Sequence, residues 1–185
     1  MPVVADWAAT AMFVVFAVAA LAKARSAGAF DDFAASLSQF GIRSILGQRL
    51  MAAMVLLLEA LGCVGLVVLA QHPIARYALP VLLLLAFGAG VAMSARSGRA
   101  SACHCFGTTT ELPAGPHLIL NGSLAALGIL AAFGGRSAGT AGDAVLGVGL
   151  GVISGVLFVF AADLYVALST RGATAGRPVY AKNGG

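Results

Sequence analysis

The sequence predicts an all-α integral membrane bundle of about five transmembrane helices. Three observations carry this. Hydrophobic residues make up 60% of the 185 residues and charged residues only 10%. A soluble domain carries roughly 25% charged residues, so too little charge is present to coat a water-exposed surface. The mean hydropathy is +0.97, and the apolar residues fall in long runs. About 20 residues at a 1.5 Å rise cross ~30 Å of hydrocarbon. Finally, no alternating segments of the kind a closed barrel needs are visible, so helices must satisfy the backbone in lipid.

The runs can be taken in order. The first extends from about Val3 to Ala22 and is interrupted only by Asp6. No basic residue precedes it, so it reads as a retained helix rather than a secretory signal. The stretch from Ser26 to Gln48 differs. Phe30, Phe33, Leu37 and Phe40 recur at helical spacing among Asp31, Asp32, Ser36 and Gln39. This predicts an amphipathic helix at the interface or folded against the bundle, stopped by Gly41. Further runs cover Leu50 to Leu69 (with Glu59), Ile74 to Ala95, Ala114 to Phe133, and Ala144 to about Leu168 (with Asp163). The 24 glycines allow close helix approach. Residues 1–170 form one transmembrane domain in this reading, and residues 171–185 a flexible polar tail.

Basic residues divide unevenly between the two membrane faces. Lys23, Arg25, Arg43, Arg49, Arg96, Arg99, Arg171, Arg177 and Lys182 share one face; Arg76 and Arg136 occupy the other. The positive-inside rule assigns the richer face to the cytoplasm and the N-terminus to the outside. The net charge of +4 is then a topology signal and a contact to anionic lipid headgroups, and requires no nucleic-acid partner.

The chemistry-bearing stretch is Cys103-His104-Cys105-Phe106-Gly107, directly after the third run. Two thiols one residue apart can close a small, tight disulfide, and strained disulfides are more easily reduced. Arg96, Arg99 and His104 lie close in sequence, and positive charge raises the reactive thiolate fraction. Thiol exchange is one reading. Capture of a soft ion such as Cu(I) by Cys103, His104 and Cys105 is another. A third is two incidental cysteines that stabilise a loop.

Within the spans, Glu59 is the costly group. A carboxylate in lipid points into the bundle or a polar cavity. It reads either as a neutral side chain bonded to a neighbouring helix or as a proton relay or headgroup partner. Cys63, four residues on, shares its helix face. It reads as a packing residue, or alternatively as a third exchange thiol. His117 and Asn121 are likewise four apart, and Asn121 can bridge helices. Asp163 is the acidic group of the fifth run, with a snorkelling cation as its ordinary partner. Counted from the basic face, Glu59 lies roughly 13 Å deep, and Asn121 and Asp163 roughly 10 Å, with His117 shallower. These residues predict a polar pocket opening toward the Cys103/Cys105 loop, suited to proton transfer or to a quinone head.

Several of these features together resemble the methylamine utilisation protein MauE family, within the DoxX-like redox-associated membrane proteins. They are Phe16 to Arg25 closing the first run, the Phe-rich stretch ending in Phe40-Gly41, Glu59, the Cys103-to-Gly107 signature, and Asn121. The resemblance covers roughly residues 10 to 130. It implies a four-helix DoxX/VKOR-like core plus one further helix. It also implies disulfide handling during maturation of methylamine dehydrogenase, with a thioredoxin-like partner, and a likeness to quinone-linked thiol oxidoreductases of the bacterial inner membrane. One departure stands out. Relatives often place an Arg just before the Asn, whereas this chain has Leu120.

The leading expectation is therefore a membrane thiol–disulfide redox protein acting on an extracytoplasmic client. Its rivals are a soft-metal binding or transport protein and a non-catalytic assembly scaffold. Two expectations pull apart here: an extracytoplasmic client wants the dithiol outside, and the basic-residue count puts it inside.

Overall fold

The computed structural model describes residues 2–96, 114–134 and 140–175. Within the last helix, the side chains of Ala162, Asp163 and all residues after Leu164 fall outside that description. The described chain is helical: α1 (Pro2–Ala24), α2 (Ala27–Ser36) running into a 3₁₀ turn (Leu37–Phe40), α3 (Ile45–Val68), α4 (Pro73–Arg96), α5 (Ala114–Phe133) and α6 (Ala141–Ala175). Five of these, all but α2, are long and apolar enough to cross a membrane. The all-helical bundle with an added amphipathic element is thus present, and the outer faces of its spans are in contact with lipid.

Two boundaries depart from the hydropathy reading. α3 begins at Ile45, five residues before the apolar run, because the Ser44 hydroxyl accepts the Gly47 N–H at 3.1 Å and starts the helix. α6 continues to Ala175, so its backbone carries Arg171 within the helix.

α1 lies at the centre, packed against α2, α3, α5 and α6, while α4 bridges α3 and α5. Its buried side is made of Ala8, Ala11, Met12, Val15, Phe16 and Ala19. These small and flexible side chains let three spans approach one axis. α6 sits against α1 through Gly147, Gly151 and Gly155. A Cβ at Gly151 would stand 2.8 Å from the Trp7 carbonyl oxygen and 2.4 Å from Thr10 Cβ. A Cβ at Gly147 would stand 2.9 Å from the Val3 carbonyl oxygen. This four-residue glycine spacing is the small-residue packing by which membrane helices associate without a hydrophobic driving force. Beside it, Trp7 Nε1 donates to Ser154 Oγ at 2.8 Å.

The end of the bundle holding the α3–α4 turn is fixed by two polar contacts. Arg76 Nε donates to the Leu66 carbonyl at 2.6 Å, in the last turn of α3. Tyr77 Oη donates to the Ala5 carbonyl at 2.6 Å.

At the opposite end, α2 and its 3₁₀ turn fold against α1, α3 and α4. Ser26 caps α2 by accepting the Ala29 N–H at 3.1 Å. Phe33, Ala34 and Leu37 are buried against Ala52 and Val55 of α3. Gly41 then takes φ +88°, a left-handed conformation that side chains disfavour, and its N–H donates to the Ser38 carbonyl. Of the two placements the sequence allowed, this element adopts the folded one.

Candidate functional site

The site forms where α1 ends, α4 ends and α5 begins. In the last turn of α1, Lys23 points inward and is 2% exposed. Its Nζ donates to Glu59 Oε1 at 2.7 Å and Oε2 at 3.0 Å, and to the Ala19 carbonyl at 3.2 Å. Glu59 of α3 is 1% exposed. Phe33, carried in by α2, places its ring centroid 4.8 Å from the same ammonium. Glu59 is therefore the acceptor half of a buried ion pair, and its partner is Lys23. The sequence reading placed Lys23 with the basic residues of the α1–α3 connection. Its burial removes it from that count and leaves eight on the richer face against two.

Beside the pair lies a cavity of about 40 Å³. Its walls are Phe16 and Ala19 from α1, Glu59 from α3, Leu84, Phe87 and Val91 from α4, and His117 and Asn121 from α5. Phe33, Leu37 and Phe40 close it from the side of α2. Phe40 fits because residue 90 is a glycine: a Cβ there would meet its ring at 3.0 Å. His117 is 7% exposed, and its Nε2 has no hydrogen-bond partner among the described residues. Three residues chosen from sequence, Glu59, His117 and Asn121, thus line one chamber although they come from two separate helices.

The volume limits what the chamber can hold in this conformation. A dry cavity of ~150 Å³ takes a benzene ring, and a water needs only ~10–15 Å³. A quinone head does not fit unless the α2 cover moves, whereas small polar molecules do.

The other sequence candidates are placed differently. Cys63, one turn from Glu59, directs its Sγ to the Phe13 carbonyl of α1 at 3.9 Å and is not among the cavity walls. The backbone of Asp163 belongs to α6, and its side chain lies outside the description. Cys103, His104 and Cys105 lie outside the described residues. Among the described residues no three His, Cys, Asp or Glu side chains group closely enough to hold a metal. Lys23 is the residue that sequence reasoning missed. A carboxylate deep in a span requires a cation or a proton donor, and Lys23 closes the preceding span.

These features define a class: a multi-pass helical membrane protein with a covered, mainly apolar chamber at one end of its bundle, into whose wall Glu59, His117 and Asn121 are set. The model of the methylamine utilisation protein MauE family matches residues 1–134. The chain belongs to that family of methylamine-utilisation membrane proteins, and α6 lies beyond the matched region. No curated protein and no solved structure matches it.

Proposed function

We propose that the protein is a membrane thiol–disulfide redox protein of the bacterial inner membrane in which Cys103 and Cys105 are the exchanging pair. Its client is an extracytoplasmic disulfide protein such as methylamine dehydrogenase, reached directly or through a thioredoxin-like partner. The supporting observation is connectivity. The segment that carries both thiols leaves α4 five residues after Val91 and enters α5 three residues before His117, and both of these residues are walls of the chamber. The segment that carries the dithiol is thus joined at both ends to helices that wall the chamber beside the buried Lys23–Glu59 pair.

In the exchange, a client thiolate attacks the Cys103–Cys105 disulfide, a mixed disulfide forms, and the client's second thiol resolves it, leaving the client oxidised and the pair reduced. In the reverse direction, a Cys103 or Cys105 thiolate attacks a partner disulfide and the pair is reoxidised. Oxidation of the dithiol releases two protons and two electrons. His104, Arg96 and Arg99 promote the thiolate, and the chamber handles protons. The electrons pass to a partner disulfide or to a lipid-soluble quinone. The quinone alternative requires withdrawal of the α2 cover, for the volume reason given above. The eight-to-two basic asymmetry favours a cytoplasmic thiol loop, whereas exchange with an extracytoplasmic client requires that loop outside; labelling of the two faces decides between them.

The test is acid-quenched alkylation with a mass-tagged maleimide in intact cells carrying Cys63→Ser. Cys103 and Cys105 are expected to shift between thiol and disulfide when respiration is blocked, and Cys103→Ser or Cys105→Ser to abolish client oxidation while the protein still inserts. A pair that stays reduced throughout would overturn the proposal in favour of soft-metal capture by Cys103, His104 and Cys105.

A further inference from the structure

The chamber contains polar groups that packing alone does not account for. Leaving a buried donor or acceptor unpaired costs about 1–3 kcal/mol. His117 Nε2 is one such atom among the described residues; Ser94 Oγ is also unpaired among them, although it is not part of the cavity wall. Ser94 is 4% exposed and lies three residues beyond Val91 on α4, toward the membrane end where that helix stops. Glu59 accepts from Lys23 at both oxygens, and a carboxylate has about four lone-pair sites, so acceptor capacity remains at the cavity wall. Asn121 adds a donor and an acceptor. Buried water settles where there is room and where two to four polar partners converge. A volume of about 40 Å³ has space for roughly two or three molecules.

We propose that this chamber holds a short string of water molecules bridging the Glu59 carboxylate and the His117 imidazole. The string conducts protons toward the end of the bundle where α4 stops and α5 starts. Each hop breaks one O–H or N–H bond and makes another, so one proton is carried and no electron moves. Lys23 is a positioning residue. Its two bonds to Glu59 hold the carboxylate against the cavity as a fixed acceptor, and Phe33 over its ammonium shields the pair from the side of α2. The inference deepens the redox reading, which needs a route for the two protons released on dithiol oxidation. The hydration itself does not depend on that reading.

The sequence suits a spectroscopic test, because the chain has three histidines and two glutamates, Glu59 and Glu111. The full chain, labelled with ¹⁵N-histidine and ¹³C-glutamate, is reconstituted in phospholipid bilayers and studied by magic-angle-spinning NMR. His117→Phe and Glu59→Gln identify the signals. Water protons are expected to transfer magnetisation to a His117 ring nitrogen and to Glu59 Cδ. Val91→Phe, which grows a ring into the cavity, is expected to abolish both transfers. Lys23→Met is expected to displace the Glu59 Cδ signal, and Lys23→Arg to return it. Absence of water transfer to either residue in the native protein would overturn the proposal, and needs no variant to fold. Hydration without thiol cycling would leave this inference standing while the redox reading falls; thiol cycling around a dry chamber would do the reverse.

Discussion

Lys23 and Glu59 are two charged side chains buried almost completely in a region of low dielectric. Removing one partner of such a pair leaves an uncompensated charge and destabilises by about 3–5 kcal/mol, whereas replacing both by apolar groups is often neutral or stabilising. Lys23→Met is therefore expected to lower the thermal midpoint in detergent sharply, and Lys23→Met with Glu59→Leu to recover most of the loss. Additive losses in the double variant would show that the two residues are energetically independent. This pair was only half legible in the sequence. Glu59 was visible as an ionisable group inside a span, but its partner is 36 residues away. Lys23 also ends an apolar run, where a basic residue ordinarily reports topology. Cys63 sits as a packing residue would, beside α1 and away from the cavity wall. Four residues advance a helix by slightly more than one turn, and that offset turns Cys63 toward α1 while Glu59 faces the chamber.

At the scale of elements, length and period carried the five spans and the amphipathic stretch, because the bilayer sets the first and a one-sided core sets the second. The Gly41 stop was legible for a similarly local reason. The docking of α6 was not, although its signal is present: Gly147, Gly151 and Gly155 recur every four residues, and only the facing backbone of α1 shows what they accommodate. Gly151→Leu places a side chain where a Cβ already meets the Trp7 carbonyl at 2.8 Å. It is expected to separate α6 from α1. Because Trp7 is the single tryptophan and bonds Ser154, its fluorescence reports this contact. Ser154→Ala should shift the emission slightly, and Gly151→Leu should shift it more and raise quenching by brominated lipid. Unchanged emission in Gly151→Leu would mean the helices do not meet through this face.

Across the whole molecule, charge and cavity lie toward one membrane face, and Arg76 with Tyr77 fixes the other. The basic asymmetry predicts orientation. Single cysteines introduced at Arg43 and at Arg76, in a chain with Cys63, Cys103 and Cys105 replaced by Ser, should label from opposite sides. A membrane-impermeant maleimide added to intact cells is expected to modify the Arg76→Cys variant and spare Arg43→Cys. The reverse pattern would place the thiol loop outside, next to an extracytoplasmic client. The convergence of Glu59, His117 and Asn121 was foreseeable from depth, since all three lie in one half of the membrane, His117 shallower than the other two. Their enclosure by Phe33, Leu37 and Phe40 was not, because the hydrophobic pattern of α2 fits lipid as well as it fits a neighbouring helix.

The Lys23–Glu59 pair also bears on how the chain is made. A lone charge at the centre of a span opposes insertion by roughly 2.5–3.5 kcal/mol, and one near a span's end by less, and each helix meets the membrane separately as it is synthesised. α1 emerges first with an unmatched cation near its end, and α3 follows after the twenty residues that separate Ala24 from Ile45. The neutral arrangement exists only when both have entered. The first helix is therefore expected to linger beside the insertion machinery until the second arrives, so that the two are released into lipid as a couple. A variant that removes one charge should therefore lower the inserted yield of the helix left with the unmatched charge, and the doubly neutral variant should restore it.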